Sequence, residues 1–179
     1  MDSINRNQPE HNLEHLAGAD AVARIRELSD DADSCFFCTT PMPGSDTGGS
    51  RPRAIQEADE TGALWFLSAS DSHKNAEIDA DPAVRLLMQG SKHSGFLALY
   101  GHATISRDRA RIEAPWNPIM KTWFTGGQDD PRITVIKVTP TSGYYWDNKH
   151  GDLVAATKMV VGAAIGKTLD DSIEGSLRP

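Results

Sequence analysis

Long apolar runs are missing from this 179-residue chain. No stretch approaches the roughly 18 residues that a membrane-spanning helix needs. The opening residues, MDSINRNQPEHNLEH, lack the apolar centre of a signal peptide, so a cytoplasmic protein without a membrane partner is expected. An excess of positive charge is missing too. Eighteen Lys and Arg against 25 Asp and Glu leave a net charge of −7, which argues against a general nucleic-acid or anionic-membrane surface. Any anion must therefore be captured locally. Cysteine is scarce: Cys35 and Cys38 form a C-x-x-C, with no second pair to complete a zinc site. "DSCFFCTT" reads as a buried strand, where a separation of three points the two thiols to opposite faces. No G-x-S-x-G is present, and His93, His102 and His150 have no ligand spacing between them, so they read as structural or solvated.

What is present suits one domain with its own core. Residues 13–29 place Leu13, Leu16, Ala17, Val22, Ile25 and Leu28 at near-helical spacing, an amphipathic helix. Strands are expected at 34–40, at 51–58 and 63–68 as a hairpin, at 83–89 and 95–107 as a second pair, and at 133–141 and 142–148 as a third. Further helices are expected at 73–81, near 107–123 and at 152–165, before a loose tail, "LDDSIEGSLRP". The domain layout is a flexible 1–12, a body at 13–150, and a C-terminal helix and tail at 151–179. Six or so antiparallel strands with few helices suggest a small barrel or sandwich. In "GFLALYGHATI", Leu97, Leu99, Ala103 and Ile105 take one face, and Phe96, Ala98 and Tyr100 the other. A strand apolar on both sides is covered on both; a second subunit is the economical cover, and a helix of the same chain would also serve.

"LWFLSASDSHKNAEIDADP" (64–82) carries a strand, a serine-rich turn and a short helix whose charge is reversed. His73 and Lys74 open the helix, while Glu77, Asp79 and Asp81 close it, against the preference of the helix dipole. An anion at the helix N-terminus removes the conflict, because His73, Lys74 and free backbone N–H groups then converge on it. Ser68, Ser70 and Ser72 supply hydroxyls around the same point, with Ser72 placed as N-cap. In "SRPRAIQ" (50–56), Arg51 and Arg53 are two residues apart and share a face within reach of one phosphate. The alternative is a surface turn with ordinary solvated charges.

Taken in order, "SRPRAIQ", "LWFLSASDSHKNAEI", "ALYGHATI", "PWNPIMKTWFTGGQDDP" and "YYWDN" resemble the split-barrel flavin-binding proteins. More narrowly they resemble the bacterial general-stress-protein branch of the pyridoxamine 5′-phosphate oxidase-like superfamily, over about residues 13–166. The resemblance implies a mainly β fold, a six-stranded antiparallel split β-barrel of the FMN-binding type with peripheral helices. It also implies a homodimer with FMN, or sometimes FAD, at the subunit interface. Carried over residue by residue, Arg51, Ser68, Ser72, His73 and Lys74 hold the flavin phosphate, with Leu67 beside them. Two departures stand out. Arg53 replaces an apolar residue usual in that branch, and 142–179 lacks the Arg-x-His pair with which the biosynthetic oxidases grip substrate, so oxidation of pyridoxamine phosphate is not expected. Trp116 and Trp123, seven apart, share a helical face with Met120, either as packing against the barrel or as a wall of the substrate pocket. Trp146 is the aromatic placed nearer the flavin. The function expected is a flavin-dependent oxidoreductase of unknown substrate. The alternatives are a non-catalytic flavin-binding stress protein, or a split barrel holding another phosphorylated ligand or haem.

Overall fold

The structure, a computed structural model, describes residues 12–44, 48–91, 94–113, 115, 116, 118–150, 157 and 171–179. Its elements run β1 (Leu16–Ala17), α1 (Ala19–Ala32), β2 (Ser34–Thr39), β3 (Ser50–Ala54), β4 (Glu57–Ala58), β5 (Leu64–Ala69), α2 (His73–Ala80), β6 (Ala83–Gln89), β7 (Phe96–Ser106), α3 (Arg109–Glu113), β8 (Ile133–Asn148) and β9 (Ser172–Arg178). The strands form one sheet in the order β1-β9-β8-β7-β6-β2-β3, with β5 paired to β8 and β4 to β5. All ladders are antiparallel except β1 with β9, so the sheet is mixed. It matches a split barrel that does not close. No helix among the described residues is long and apolar enough to cross a membrane.

The alternation in β7 holds: Leu97, Leu99 and Ala103 are buried, while Phe96 and Tyr100 face outward. In β2, Cys35 and Phe37 point to the core and Phe36 to the surface, so the two thiols lie on opposite faces as expected. Burial pushes the Cys35 thiol up to about 12, which leaves it an inert core side chain. The core joins inward residues of the curled sheet to Ala21, Ile25 and Leu28 of α1. Phe37 and Phe66 meet across it edge to face, with centroids 5.1 Å apart.

Five expectations are corrected. The first helix begins only at Ala19, because Gly18 at φ 57° turns the chain and Leu16–Ala17 pair in parallel with Leu177–Arg178. The presumed hairpin at 133–148 is one 16-residue strand, bulged opposite Tyr100 and Gly101. It binds β5 through its first half and β9 through its second, so burial on several sides sustains its length. The helix near 107–123 breaks into α3 and a 3₁₀ turn at Pro118–Thr122, because Pro115 and Pro118 lack N–H groups and disfavour helix before them. The hairpin of 51–58 with 63–68 shrinks to two residue pairs, since β3 pairs with β2 instead. The tail is not loose: Ser172–Arg178 is a strand between β8 and β1. The helix expected at 152–165 lies outside the described residues apart from Thr157, as does His93. His150 anchors to the buried Asp171, Nδ1 to Oδ1 at 2.7 Å.

Gly175 is what lets the N-terminal segment lie across β9, because a Cβ there would collide with the Glu14 carbonyl. Gly175→Ala is expected to cost about 1–3 kcal/mol, as overpacked sites do. At about 2–4 °C per kcal/mol for a chain of this size, a thermal melt monitored by circular dichroism should fall by several degrees.

Candidate functional site

The site follows from the strand that does not pair. β3 bonds to β2 along one edge and β5 to β8 along one edge, and β4 covers the other edge of β5 only at Leu64 and Trp65, so the rest of that edge faces β3. Gln56 N–H reaches the Trp65 carbonyl at 2.9 Å, and the two strands diverge beyond it. Even-numbered residues of β5 bond toward β8, as Ser70 N–H to the Arg132 carbonyl shows at the strand's end, and odd-numbered ones point away. Leu67 therefore turns both its N–H and its C=O into the gap with no ladder partner. Pro52 sits on the facing edge, where its missing N–H costs no ladder bond. A groove of about 590 Å³ runs along this split, lined by residues 52–54, 56 and 67–69 and walled by Met120, Trp123 and Phe124.

Beneath the groove lies the charge. Arg51 and Arg53 sit opposite Phe37 and Cys35 in the β2–β3 ladder and so share the inner face. Arg51 is already committed: it grips the buried Glu77 carboxylate with both terminal nitrogens, at 2.7 and 3.2 Å. Thr39 Oγ1 donates to the same carboxylate at 2.6 Å. This resolves part of the reversed charge of α2, since Glu77 faces a guanidinium and not the helix end. Asp81, the C-cap, accepts from Thr40 Oγ1 at 2.7 Å and from Ala83 N–H at 3.0 Å. The cationic end has no such answer. Lys74 is 1% exposed, and its Nζ has no hydrogen-bond partner among the described residues. The Phe37 ring lies 5.3 Å from it. Arg53 Nε is buried and has no hydrogen-bond partner among the described residues either. Desolvation, followed by the Arg53 and Arg51 guanidiniums, lowers Lys74 to about 7.

The serines build the turn. Ser72 caps α2 as expected, accepting from Asn75 N–H at 3.3 Å. Ser68 Oγ donates to Asn75 Oδ1 at 2.7 Å and lies 3.2 Å from Ser72 Oγ. Asn75 Nδ2 reaches Thr134 Oγ1 at 3.0 Å, and Thr134 Oγ1 donates to the Ser68 carbonyl at 3.0 Å. This network pins the N-terminus of α2 at the rim of the gap.

Arg51, Arg53, Ser68, Ser72 and Lys74 are thus brought together, and Leu67 and Trp123 line the groove above them. His73, between Ser72 and Lys74 at the start of α2, is exposed at the surface, and the two remaining tryptophans lie apart. Trp116 packs against Phe124, centroids 6.5 Å apart, in a small apolar cluster with Ile112, Ile133 and Val135. Trp146 lies opposite Phe96 on the outer face of the sheet, against Tyr144, and does not line this groove. Sequence reasoning missed Thr39, Asn75, Glu77 and Thr134. Asn75 alone left a local signal, three residues after its cap, where a side chain can bond back to the turn.

Comparison with known proteins agrees with this architecture. The family model "pyridoxamine 5′-phosphate oxidase like" matches residues 20–170. Protein bli-3 of Neurospora crassa is 27% identical over 150 residues, covering 78% of this chain and 68% of its own. Among solved structures, a general stress protein 26 from Jannaschia sp. CCS1 superposes with a TM-score of 0.73 at 22% identity, over 90% of this chain and all of that one. A general stress FMN/FAD binding protein from Xanthomonas citri superposes with a TM-score of 0.54 at 21% identity, over 67% of this chain and 82% of that one. At such identities the two structures speak for the fold.

The buried ammonium has a measurable consequence. Its folded value of about 7 lies below the ordinary 10.5, so between these pH values the unfolded chain holds a proton that the fold excludes. Below pH 7 the lysine is charged in both states and its burial cost is complete. As pH rises from 7 toward 10.5 the cost fades and stability climbs. Urea unfolding of the ligand-free protein at pH 7 and 9 should show this rise relative to Lys74→Met, which lacks it; parallel pH profiles for the two proteins would remove the buried cation from the account.

Proposed function

The chain belongs to the pyridoxamine 5′-phosphate oxidase-like family, and from that premise we propose that it binds a flavin phosphate, FMN foremost, between β3 and β5, as a flavin-dependent oxidoreductase of the cytoplasm. The observation that carries this reading is the Lys74 ammonium, buried and unpartnered at the first turn of α2, where helix N–H groups and two arginines also converge. An isolated buried cation is costly, and a phosphate is the partner that cancels it. The residues present fit such a group. Lys74, Arg53 and the N-terminus of α2 would hold the phosphate, with Arg51 kept in place by Glu77. The unpaired N–H and C=O of Leu67 offer the donor and acceptor that a polar heterocycle rim requires. Trp123, Met120 and Phe124 form the apolar wall for a planar ring.

Among the described residues no His, Cys, Asp or Glu lines the groove, so no side chain there is placed as acid or base. That suits chemistry in which the flavin, when bound, supplies the electron transfer and the protein supplies binding and orientation. Trp123, 65% exposed, leaves its ring available to a second planar molecule.

The same reading includes a homodimer. Pro52, Phe36, Leu87, Ala98 and Tyr144 follow one another across five neighbouring strands on the outer face. Phe36 is 56% exposed, Tyr100 47% and Trp146 43%, a contiguous apolar patch of the kind that marks an interface. Pro52 borders both this face and the groove, so a second copy seated on it would adjoin the flavin, and Trp146 would reach the flavin only across that interface.

Two measurements test the reading. In a fluorescence titration the protein should bind FMN far more tightly than riboflavin. Lys74→Ala should lose on the order of 1.5–3 kcal/mol, ten- to a hundredfold in affinity. Indifference to FMN at micromolar concentration would refute flavin binding. Separately, light scattering should report a dimer for wild type and a monomer for Phe36→Asp; a monomeric wild type removes the second copy.

A further inference from the structure

The charge count at the anion site goes further than the presence of an anion. Three cations face the inner side of the gap: Arg51, Arg53 and Lys74. The Glu77 carboxylate, buried and bonded by both terminal nitrogens of Arg51, neutralises one of them. The two that remain each keep a nitrogen buried without an acceptor among the described residues, Nζ of the fully buried Lys74 and Nε of the half-buried Arg53. We infer that the site selects a doubly charged phosphate monoester over a singly charged phosphodiester, and that Arg53 sets this preference by supplying the second uncompensated cation. The inference rests on the flavin reading only for the identity of the molecule that carries the phosphate.

The chemistry of the ligands makes the distinction sharp. Above a second pKa near 6 a phosphate monoester carries about two charges. The 5′-phosphate of FMN is such a monoester. In FAD the same phosphorus is joined through an anhydride to a second phosphorus and keeps one charge of its own, the other charge lying on the neighbouring phosphorus. A monoester balances both Arg53 and the buried Lys74 from a single phosphorus; a diester leaves one of the two cations uncompensated. Arg53 is also the only cation among the residues that line the groove, so it touches both the anion site and the slot above it. Arg51, held by Glu77 and within 3.4 Å of Thr39 Oγ1, acts instead as a positioning residue that holds the floor of the site.

The experiment uses the full chain at pH 7, where Lys74 still carries charge, with two pairs of probes, FMN against FAD, and phenyl phosphate against methyl phenyl phosphate. Affinity is read by titration calorimetry and fold integrity by thermal melting. Wild type should prefer the monoester of each pair by at least tenfold. Arg53→Met should weaken the monoesters tenfold or more, change the diesters less than threefold, and so collapse the preference. Arg53→Lys, which keeps the charge, should retain most of it and guards against loss through misfolding. Equal binding of monoester and diester by wild type, or an equal loss of both in Arg53→Met, overturns the inference. If FMN binds tightly but without an Arg53-dependent preference, this inference fails and the flavin reading stands. If neither flavin binds while phenyl phosphate is still preferred through Arg53, the flavin reading fails and this inference stands.

Discussion

Two strand edges that face each other without pairing shape the rest of this molecule. Between Pro52–Ala54 and Leu67–Ala69 the sheet could have closed by a ladder of backbone hydrogen bonds, and it does not. Unpaired backbone groups are expensive when dry, so the break has to be stabilised elsewhere. β2 and β8 hold the outer edges of β3 and β5. The Asp59 turn ties β4 to β5 through donors at Thr61, Ala63 and Trp65. Burial alone would raise the Asp59 carboxyl, but those hydrogen bonds outweigh it and hold the group below the usual carboxylate range. With both sides anchored, the gap keeps its width, and consecutive residues of both strands can line one groove.

The charge inside that gap is destabilising to the empty protein. Arg53 and Arg51 lie close enough to lower the proton affinity of Lys74, and among the described residues the Glu77 carboxylate is held by Arg51. Under the flavin proposal, a ligand that neutralises the pair restores stability lost when the chain folds without it. The site proposed above lies where the fold is least satisfied, as is common for binding sites. The apolar wall at Met120, Trp123 and Phe124 is held differently. It is a short 3₁₀ stretch secured by Trp116, and Arg132 also bonds the Trp123 carbonyl, while Asp130 fixes Arg132.

Much of the strand pattern was legible because it is local. The alternation in Ser34–Thr39 and Phe96–Ser106, the cap at Ser72 and the reversed charge of His73–Asp81 are each written within a dozen residues. Elements that depend on a distant partner were not legible. Leu13 and Leu16 keep helical spacing, yet Leu16–Ala17 becomes a strand because Leu177 and Arg178, at the other end of the chain, offer an edge. Ile133–Asn148 stays extended through a Pro-Thr-Ser-Gly run that reads as a turn, because β7 supports it along nearly its whole length. Trp116 and Trp123 look like one face of a helix until the prolines divide them, one into a small core and one into the groove.

The sequence by itself determined the class of fold and the family, and it marked the residues proposed here to hold an anion, since composition, period-2 patterning and the 50–56 and 64–74 segments are properties of neighbouring residues. Tertiary structure alone decided which cations remain available. Arg51 and Arg53 are equivalent on paper, two residues apart on the same face of one strand. Only packing sets Glu77, from a helix 26 positions beyond Arg51, against that guanidinium. Electrostatic pairing depends on distance in space and on loss of water, and neither is encoded in spacing along the chain. The same holds for the groove, which exists because two edges fail to meet.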